Sequence, residues 1–394
     1  MKRKKAFLIF ISLFIFLFLF SSVTSIHIVS ANTKVEPQNM LNETVKEQIE
    51  ALDLEELEAY IDSLGYFSNK SLSERLAGYI KSGTINYEGI WEQIRIVLFA
   101  KIAEILPAFA CIAAIVLLSG LLSTMKITNG INASAEMIFL ITYVAALIPL
   151  LIVLTECFQV SMGCISAMKT QIQLIFPLML TLMAASGGAL TAAVCRPAVG
   201  FFAVNIVSVI HSLVFPLTIT IIVLSIASSM TKELKIGKFT AFFKSINKWI
   251  IGVCVSAFGI FFTLQGLTAA NYDGIVRRTA KYAIGNGIPI VGGFLSGGFD
   301  LAVAGSVLIK NSLGNMSIFL MLSVIFEPIV LLISVNLLLR LTAAMAQPLG
   351  DGRISDCLEE TAGNLQYCMA GILFTAFLYF LSIMLMVCAS EALF

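Results

Sequence analysis

The amino-acid sequence predicts an all-α fold, a polytopic α-helical integral membrane protein with a short helical exported N-terminal segment. Long apolar runs fill the last three quarters of the chain, for example Pro107–Thr124 and Ile318–Leu339. A helix of about 18 or more such residues crosses the ~30 Å hydrocarbon core of a bilayer. Hydrophobic residues make up 58% of the chain and charged residues 12%, about half the roughly 25% of soluble proteins. Lipid therefore surrounds most of the polypeptide.

Residues 1–31 have the pattern of a secretory signal peptide. Lys2, Arg3, Lys4 and Lys5 precede an unbroken apolar run, Ala6–Phe20, and a cleavage site is predicted after Ala31. The alternative is an uncleaved anchor helix. Both interpretations place the chain after Asn32 on the outer side of the membrane.

Residues 32–95 form a predicted exported, acidic, helical segment. Of the 24 acidic residues in the chain, 13 lie between Glu36 and Glu104. Asp53 and Glu56 fit a capping box, which predicts a short helix ending near Gly65. So few apolar side chains do not build an independent core. We expect the segment to rest on a partner or on the membrane domain; a solvated helical hairpin without a partner is the alternative.

Cysteine and histidine usage argues against cofactor chemistry. None of the eight cysteines lies in the exported segment, so a disulfide-stapled ectodomain is excluded. The two histidines and the absence of any Cys-x-x-Cys pair leave no ligand set for zinc, haem or an iron–sulfur cluster. No Walker motif, dinucleotide fingerprint or protease arrangement occurs. We therefore expect no cofactor and no enzymatic activity.

Residues 96–394 form the predicted membrane domain, with about seven transmembrane helices. They are centred on Pro107–Thr124, Ala135–Thr155, Ile172–Thr191, Ala198–Ser229, Trp249–Thr268, Ile318–Leu341 and Tyr367–Ala389. Cytoplasmic loops tend to be rich in lysine and arginine. Seven simple crossings from an outside start place the segment Thr231–Lys248, with its five lysines, outside. Either the count is wrong by one or this segment is an exception.

The same basic segment, residues 231–248, predicts an amphipathic helix. Its aromatic side chains share one helical face with lysines largely opposite, and the set comprises Lys235, Lys238, Phe239, Phe242, Phe243 and Lys248. Such a helix lies in the headgroup layer and favours anionic lipid. The alternative is an ordinary basic loop between two spans.

Residues 273–314 are rich in glycine and predict broken or re-entrant helices. Glycine and proline disfavour one straight span, and small residues allow close helix contact. The candidate pore-lining or packing residues are Gly287, Pro289, Gly292, Gly293, Gly297, Gly298 and Asp300. Tight packing without any path is the alternative. Glu327, beside Pro328 in the middle of an apolar run, is the candidate intramembrane polar residue.

Several short motifs carry a family resemblance over essentially the full chain. They are Leu52–Leu64, Leu264–Leu267, Ala270–Gly274, Thr279–Ala283, Ile288–Gly293 and Leu308–Asn311. In these residues, and above all in 265–314, the chain resembles the stage III sporulation protein AE family of endospore-forming bacteria.

The resemblance implies a role and no reaction. It implies a large polytopic subunit of the secretion-like channel complex that joins mother cell and forespore after engulfment and keeps late forespore gene expression active. The implied partners are membrane lipid, the other stage III subunits and a forespore membrane protein. The implied assembly is a hetero-oligomer, with self-association as a further option. No nucleic-acid partner is implied. The implied location is the mother-cell membrane around the forespore. An independent secondary transporter for a small solute is the competing hypothesis, although no convincing internal repeat supports it.

Overall fold

The computed structural model describes residues 44–50, 52, 54–63, 90–127, 132–186, 188, 192–193, 204–230, 236–268, 292–347 and 352–391. These ranges contain helices and no strand, which confirms the predicted all-α class. The predicted signal peptide, residues 1–31, lies outside the described residues.

Eight helices make up the described chain. They are α1 (residues 44–50), α2 (Glu55–Ser63), α3 (Ile90–Ile127), α4 (Asn132–Ala185), α5 (Val204–Met230, with a π turn), α6 (Gly237–Thr268), α7 (Gly292–Ala346) and α8 (Gly352–Glu391). Within these ranges six helices, α3 to α8, are long and apolar enough to cross a membrane. The protein is therefore a multi-pass membrane protein.

Two of the about seven predicted spans share one helix within the described residues. Ala135–Thr155 and Ile172–Thr191 both fall largely on α4, which continues unbroken for 54 residues. The residues between them include Met, Gln, Ala and Lys, which favour a helix, and the single Gly163 costs only about 1 kcal/mol. Local helix propensity therefore keeps the backbone hydrogen bonds continuous between the two predicted spans.

The chain divides into two compact units. The first comprises Met1–Ile85 and Ala280–Ser312, and the second comprises Asn86–Thr279 and Leu313–Phe394. In the first unit, Gln48 Nε2 of α1 donates a hydrogen bond of 2.9 Å to the Ala302 carbonyl of α7. Gly305 lies under α1, where an added Cβ would be 2.8 Å from Gln48 Oε1. A side chain at Gly305 would therefore displace the Gln48 amide from its present position.

In the second unit α8 is the most enclosed of the apolar helices. The buried share of its apolar stretch is 67%, compared with 22% for α3 and 17% for α6. Gly371 of α8 allows close approach to α5, since a Cβ there would lie 3.2 Å from Phe215 Cε2 and 3.3 Å from Ile210 Cγ2. Tyr379, fully buried on α8, donates a 3.2 Å hydrogen bond to the Ser317 carbonyl of α7.

Five helix ends meet at one end of the second unit, which we call the hairpin end. It is defined by the beginnings of α4, α6 and α8 and the final turns of α5 and α7. Tyr143 OH of α4 donates to the Ile226 carbonyl of α5 at 2.7 Å, and Ser355 Oγ of α8 donates to the Ala343 carbonyl of α7 at 2.8 Å. The Arg353 guanidinium lies 3.5 Å from the centre of the Phe139 ring. The helices therefore run alternately toward and away from this end.

α5 contains a π turn, Ile210–Val214, directly before Pro216. The Phe215 N–H donates to the Ile210 carbonyl five residues back. Pro216 has no N–H to offer the Ser212 carbonyl and its ring crowds that carbonyl, so a wider turn relieves the contact. The irregularity of α5 therefore lies directly before Pro216.

The glycine-rich region differs from the expected break. Gly292, Gly293, Gly297, Gly298 and Asp300 all lie in the continuous helix α7, whereas Gly287 and Pro289 lie outside the described residues. Each helical glycine costs about 1 kcal/mol. Burial of the neighbouring apolar residues, such as Val303 and Ile309 at 1% and 0% exposure, offsets that cost.

The basic segment also differs from the expectation of a separate helix over 231–248. Residues 237–248 are the first turns of α6, which continues to Thr268 without a break. Residues 231–235, including Lys235, lie outside the described residues. Favourable backbone hydrogen bonding therefore joins the amphipathic turns to the apolar span that follows them.

Candidate functional site

A cluster of four ionisable side chains joins three apolar helices of the second unit. Lys101 Nζ of α3 lies 3.0 Å from Glu104 Oε2 on the same helix. It also lies 3.6 Å from Glu156 Oε1 of α4 and 3.2 Å from Glu327 Oε1 of α7. Lys101 and Glu104 share a helix face because they are three residues apart. We call these four residues the Lys101 cluster.

The Lys101 cluster contains more acid than base. With all four groups ionised, one ammonium faces three carboxylates. The lysine side chain is the most enclosed at 20% exposure, followed by Glu156 at 30% and Glu327 at 40%. Excess charge of this kind is unstable in hydrocarbon, so the carboxylates need contact with water. An open depression of about 430 Å³ lies beside Glu156, lined by Leu151, Ile152, Thr155 and Gln159.

The structure brings Glu327, the predicted intramembrane polar residue, together with residues that the sequence left separate. Glu156 ends one predicted span, and Lys101 and Glu104 precede another. Their polarity beside apolar runs is visible in the sequence. Their shared location is not, because helix pairing over 55 or more residues of separation depends on tertiary packing.

A second polar cluster links α5, α6 and α8 near the hairpin end. Ser225 Oγ donates a short hydrogen bond to Glu360 Oε2, and Asn364 Nδ2 donates to Ser225 Oγ at 3.1 Å. Lys244 Nζ lies 3.9 Å from the same Glu360 oxygen. Ser225 and Asn364 are 1% and 2% exposed. The sequence reasoning missed this cluster; Glu360 and Asn364, one helical turn apart beside an apolar run, were the available signal.

Further buried polar contacts tie the same helices. Asn247 Nδ2 of α6 donates to Thr218 Oγ1 of α5 at 2.9 Å, and both residues are fully buried. Lys310 of α7, in the first unit, is also fully buried and was not singled out by the sequence. Such contacts fix helix register because an unpaired polar group in a low-dielectric core is costly.

The predicted amphipathic residues occupy the outer surface of α6. Phe239 and Phe242 are 64% and 59% exposed, and Phe243 is half-buried. Lys238 and Lys248 are exposed as well. The face turned toward α5 carries Thr240 and Asn247 instead. The aromatic face is therefore not covered by the rest of this unit.

The described residues contain no group of three or more His, Cys, Asp or Glu side chains arranged to hold a metal ion. Within the Lys101 cluster the lysine ammonium occupies the position between the carboxylates that a cation would take. The cluster can hold helices together, retain water at its edge and exchange protons with that water. Nothing in its composition supplies a nucleophile with an adjacent base.

Comparison with known proteins gives one family. The family model described as stage III sporulation protein AE matches residues 71–390. Stage III sporulation protein AE of Bacillus subtilis (strain 168) is 31% identical over 227 residues, which cover 58% of this chain and 57% of that relative. No solved structure matches. Because the family model covers most of the chain, this protein belongs to the stage III sporulation protein AE family.

Proposed function

We propose that this chain is a membrane subunit of the sporulation-specific channel complex that links mother cell and forespore and sustains late forespore gene expression. The match of the family model over residues 71–390 carries the proposal. The six apolar helices support it because such a subunit must be anchored in a bilayer. No catalytic step is part of the proposal.

The proposed partners are the other stage III subunits and a forespore membrane protein, together with lipid. Among the described residues, α1 and α2 offer charged, exposed surface for such contacts. Lys46 and Glu50 form an ion pair with side chains 78% and 65% exposed. Glu55 and Glu56 begin α2 and are exposed. Rim charges of this kind guide association and partner choice.

The proposed location is the mother-cell membrane around the forespore, with the N-terminal segment on the outer side. If the chain begins on the outer side and crosses the membrane six times, the hairpin end lies on the inner side. The described basic residues there, Lys238, Lys244, Arg340 and Arg353, follow the positive-inside tendency. Residues 277–281 then fall outside, opposite to the expectation from seven crossings. Cysteine labelling from each side at Lys238 and Arg278 tests the orientation.

The glycine-rich beginning of α7 is the proposed element for close subunit packing or passage. Gly293 and Gly297 are four residues apart, a spacing that allows two helices to approach closely. Replacing Gly297 with Leu is expected to abolish assembly or passage. Gly252→Leu is the matched control, since an added Cβ at Gly252 meets nothing within 4 Å. Full activity of the Gly297→Leu protein would remove this element from the proposal.

The direct experiment is deletion of the chain in its own spore-forming cell, with complementation. We expect engulfment to proceed, a late forespore reporter to stay off, and the wild-type chain to restore the reporter. Normal spores and normal reporter activity in the deletion strain would contradict the proposal. Quantitative immunoblots of the complementing variants separate loss of function from loss of protein.

A secondary transporter is the second candidate, favoured by the Lys101 cluster and its open depression. Ionisable side chains at membrane depth often mark solute or proton paths. The purified protein in sealed vesicles would then accumulate solute when a gradient is applied, whereas a complex subunit alone would not. Uptake that depends on Glu327 would favour the transporter.

A further inference from the structure

We propose that hydrocarbon covers the second unit only from the hairpin end to the Lys101 cluster, and that α4 beyond Thr155 projects into water. This inference goes beyond the proposed function and does not depend on it. The proposed interaction surface is the belt of exposed apolar side chains in this range. Its one proposed partner is the lipid bilayer.

Helix length is the first argument. The apolar stretches of α4, Phe139–Ala185, and of α7, Asp300–Ala346, each contain 47 residues. At 1.5 Å per residue each is about 70 Å long, more than twice the ~30 Å hydrocarbon core. A tilt of about 65° would be needed to fit either helix inside, well beyond the 0–40° range of membrane helices. Part of each helix must therefore lie outside the hydrocarbon.

The exposed face of α4 shows where the change occurs. Its first half exposes large apolar side chains, and its second half exposes polar or small ones on the same face. In order they are Met137, Ile141, Val144, Ile148 and Ile152, then Thr155, Gln159, Gly163, Ser166, Gln173, Pro177 and Thr181. Met137 to Ile152 covers about 23 Å of helix. The surface therefore changes from lipid-like to polar at Thr155.

The polar half of that face is unsuited to hydrocarbon. The hydroxyls of Thr155 and Thr181 donate to their own helix, to Leu151 O at 2.8 Å and Pro177 O at 3.0 Å. The amides of Gln159 and Gln173 are exposed on the same face. Lipid tails offer no partner to an amide. Water does, so the two glutamines indicate an aqueous surface.

Two other helices have apolar belts of matching height. On α5 the exposed large apolar side chains lie between Leu213 and Met230, and on α7 they lie between Ile333 and Met345. These stretches rise about 26 and 18 Å. Neither exceeds the thickness of one bilayer, although the helices themselves are longer.

The Lys101 cluster lies at the edge of the exposed apolar side chains on α4 and on α7. Glu156 follows Ile152 by four residues, and Glu327 precedes Ile333 by six. A boundary at this level lets the three carboxylates reach water while the lysine stem packs on apolar surface. The excess negative charge then carries no large desolvation penalty.

The first unit gives an independent observation on α7. Residues 302–306 of α7 pack against α1 through the hydrogen bond from Gln48 and through Gly305. α1 also carries the exposed ion pair between Lys46 and Glu50. A helix with exposed charges does not enter hydrocarbon. The first turns of the apolar stretch of α7 therefore lie in water.

The experiment uses single cysteines along the exposed face of α4 in the full chain, reconstituted into lipid bilayers. The eight native cysteines are first replaced by Ala or Ser. Ser166→Cys, Gln173→Cys and Thr181→Cys report on the polar half, and Ile141→Cys and Ile148→Cys on the apolar half. Each variant receives a nitroxide label, and its collision rates with oxygen and with a water-soluble nickel chelate are measured. Circular dichroism and gel filtration confirm that each labelled protein is folded.

We expect at least a tenfold higher nickel-to-oxygen collision ratio at the three polar-half positions than at the two apolar-half positions. A high oxygen rate at residues 166–181 would place them in lipid and overturn the inference. Low rates for both reagents would show protein covering the face and would overturn it as well. Three probes in the polar half keep the test decisive if one variant misfolds.

Discussion

α8 and α6 are two apolar helices of the same unit with opposite environments. The buried share of the apolar stretch is 67% for α8 and 17% for α6. Gly371 of α8 faces Phe215 and Ile210 across a gap that is tight even for a methyl group, whereas Gly252 and Gly259 of α6 face open space. Apolarity alone therefore does not distinguish a helix packed in protein from one that faces lipid.

Buried polar residues distinguish the two helices better. α8 carries several that are almost fully enclosed, namely Ser355, Thr361, Asn364, Thr375 and Ser382. α6 carries two, Thr240 and Asn247, on the single face that meets α5. In lipid there is no hydrophobic force between helices, so close packing and hydrogen bonds hold them together. Polar and small residues therefore mark the faces between helices.

The largest expected effect comes from filling the contact at Gly371. Gly371→Leu places a side chain against Phe215 and Ile210, both fully buried, and overpacking of this kind costs about 1–3 kcal/mol or more. We expect a clear fall in thermal stability in detergent, measured by loss of the monodisperse gel-filtration peak. Gly363→Leu on the same helix is the control, because nothing lies within 4 Å of its added Cβ. Equal loss in both proteins would contradict the packing argument.

Removal of the central cation of the Lys101 cluster ranks second. Lys101→Met leaves three carboxylates without their ammonium. The expected loss of unfolding free energy lies between the ~0.5 kcal/mol of an exposed ion pair and the ~3 kcal/mol of a buried one. We expect lower thermal stability and partial recovery when Glu327→Gln is added. Lys238→Met, on the exposed surface of α6, is the matched control.

If Lys101→Met and Lys238→Met melt alike, the cluster contributes nothing to the fold. If the variant that combines Lys101→Met with Glu327→Gln loses more stability than the two single variants together, Lys101 and Glu327 do not stabilise the fold as an ion pair.

Loss of the amide at Asn364 has a smaller expected effect. Asn364→Ala removes the 3.1 Å hydrogen bond to Ser225 Oγ in the core, with an expected cost of about 1–2 kcal/mol. Gln366→Ala, exposed on the same helix, should be nearly neutral. Differential scanning fluorimetry of the purified proteins compares them. Indistinguishable melting curves would show that the Ser225–Glu360–Asn364 contacts do not fix α8 against α5.

The smallest expected effect is a gain on α6. Gly259→Ala adds a methyl group into open space and improves helix propensity by up to about 1 kcal/mol. We expect unchanged or slightly higher thermal stability. A sharp loss of complex assembly in cells with unchanged stability of the purified chain would instead show that a partner covers this face.

Several features of the fold follow from the sequence because they depend on local composition. Uninterrupted apolar runs predicted membrane helices, and the capping box at Asp53 and Glu56 predicted a short helix in the region where α2 (Glu55–Ser63) is found. Within the described part of the predicted broken region 273–314, residues 292–314 form a continuous helix, and the two predicted spans Ala135–Thr155 and Ile172–Thr191 fall largely on one helix. In both places continuous backbone hydrogen bonding outweighs a few weak helix formers.

The candidate site was predicted only in part. Glu327 was singled out because an acid in an apolar run is costly. Its link to Lys101, Glu104 and Glu156 was not predicted, since the three helices meet only through tertiary packing. Ser225, Glu360 and Asn364 were missed for the same reason, as each is an ordinary helix residue when taken alone.

The sequence by itself determined that this protein is helical and membrane-embedded and to which family it belongs, because apolar run length and motif order are local properties of the chain. Tertiary structure decided which helix is central, which charges meet and where the exposed face of α4 changes from apolar to polar. Those properties depend on which side of each helix is covered. An apolar run does not specify that side when lipid and protein interior are almost equally good solvents for it.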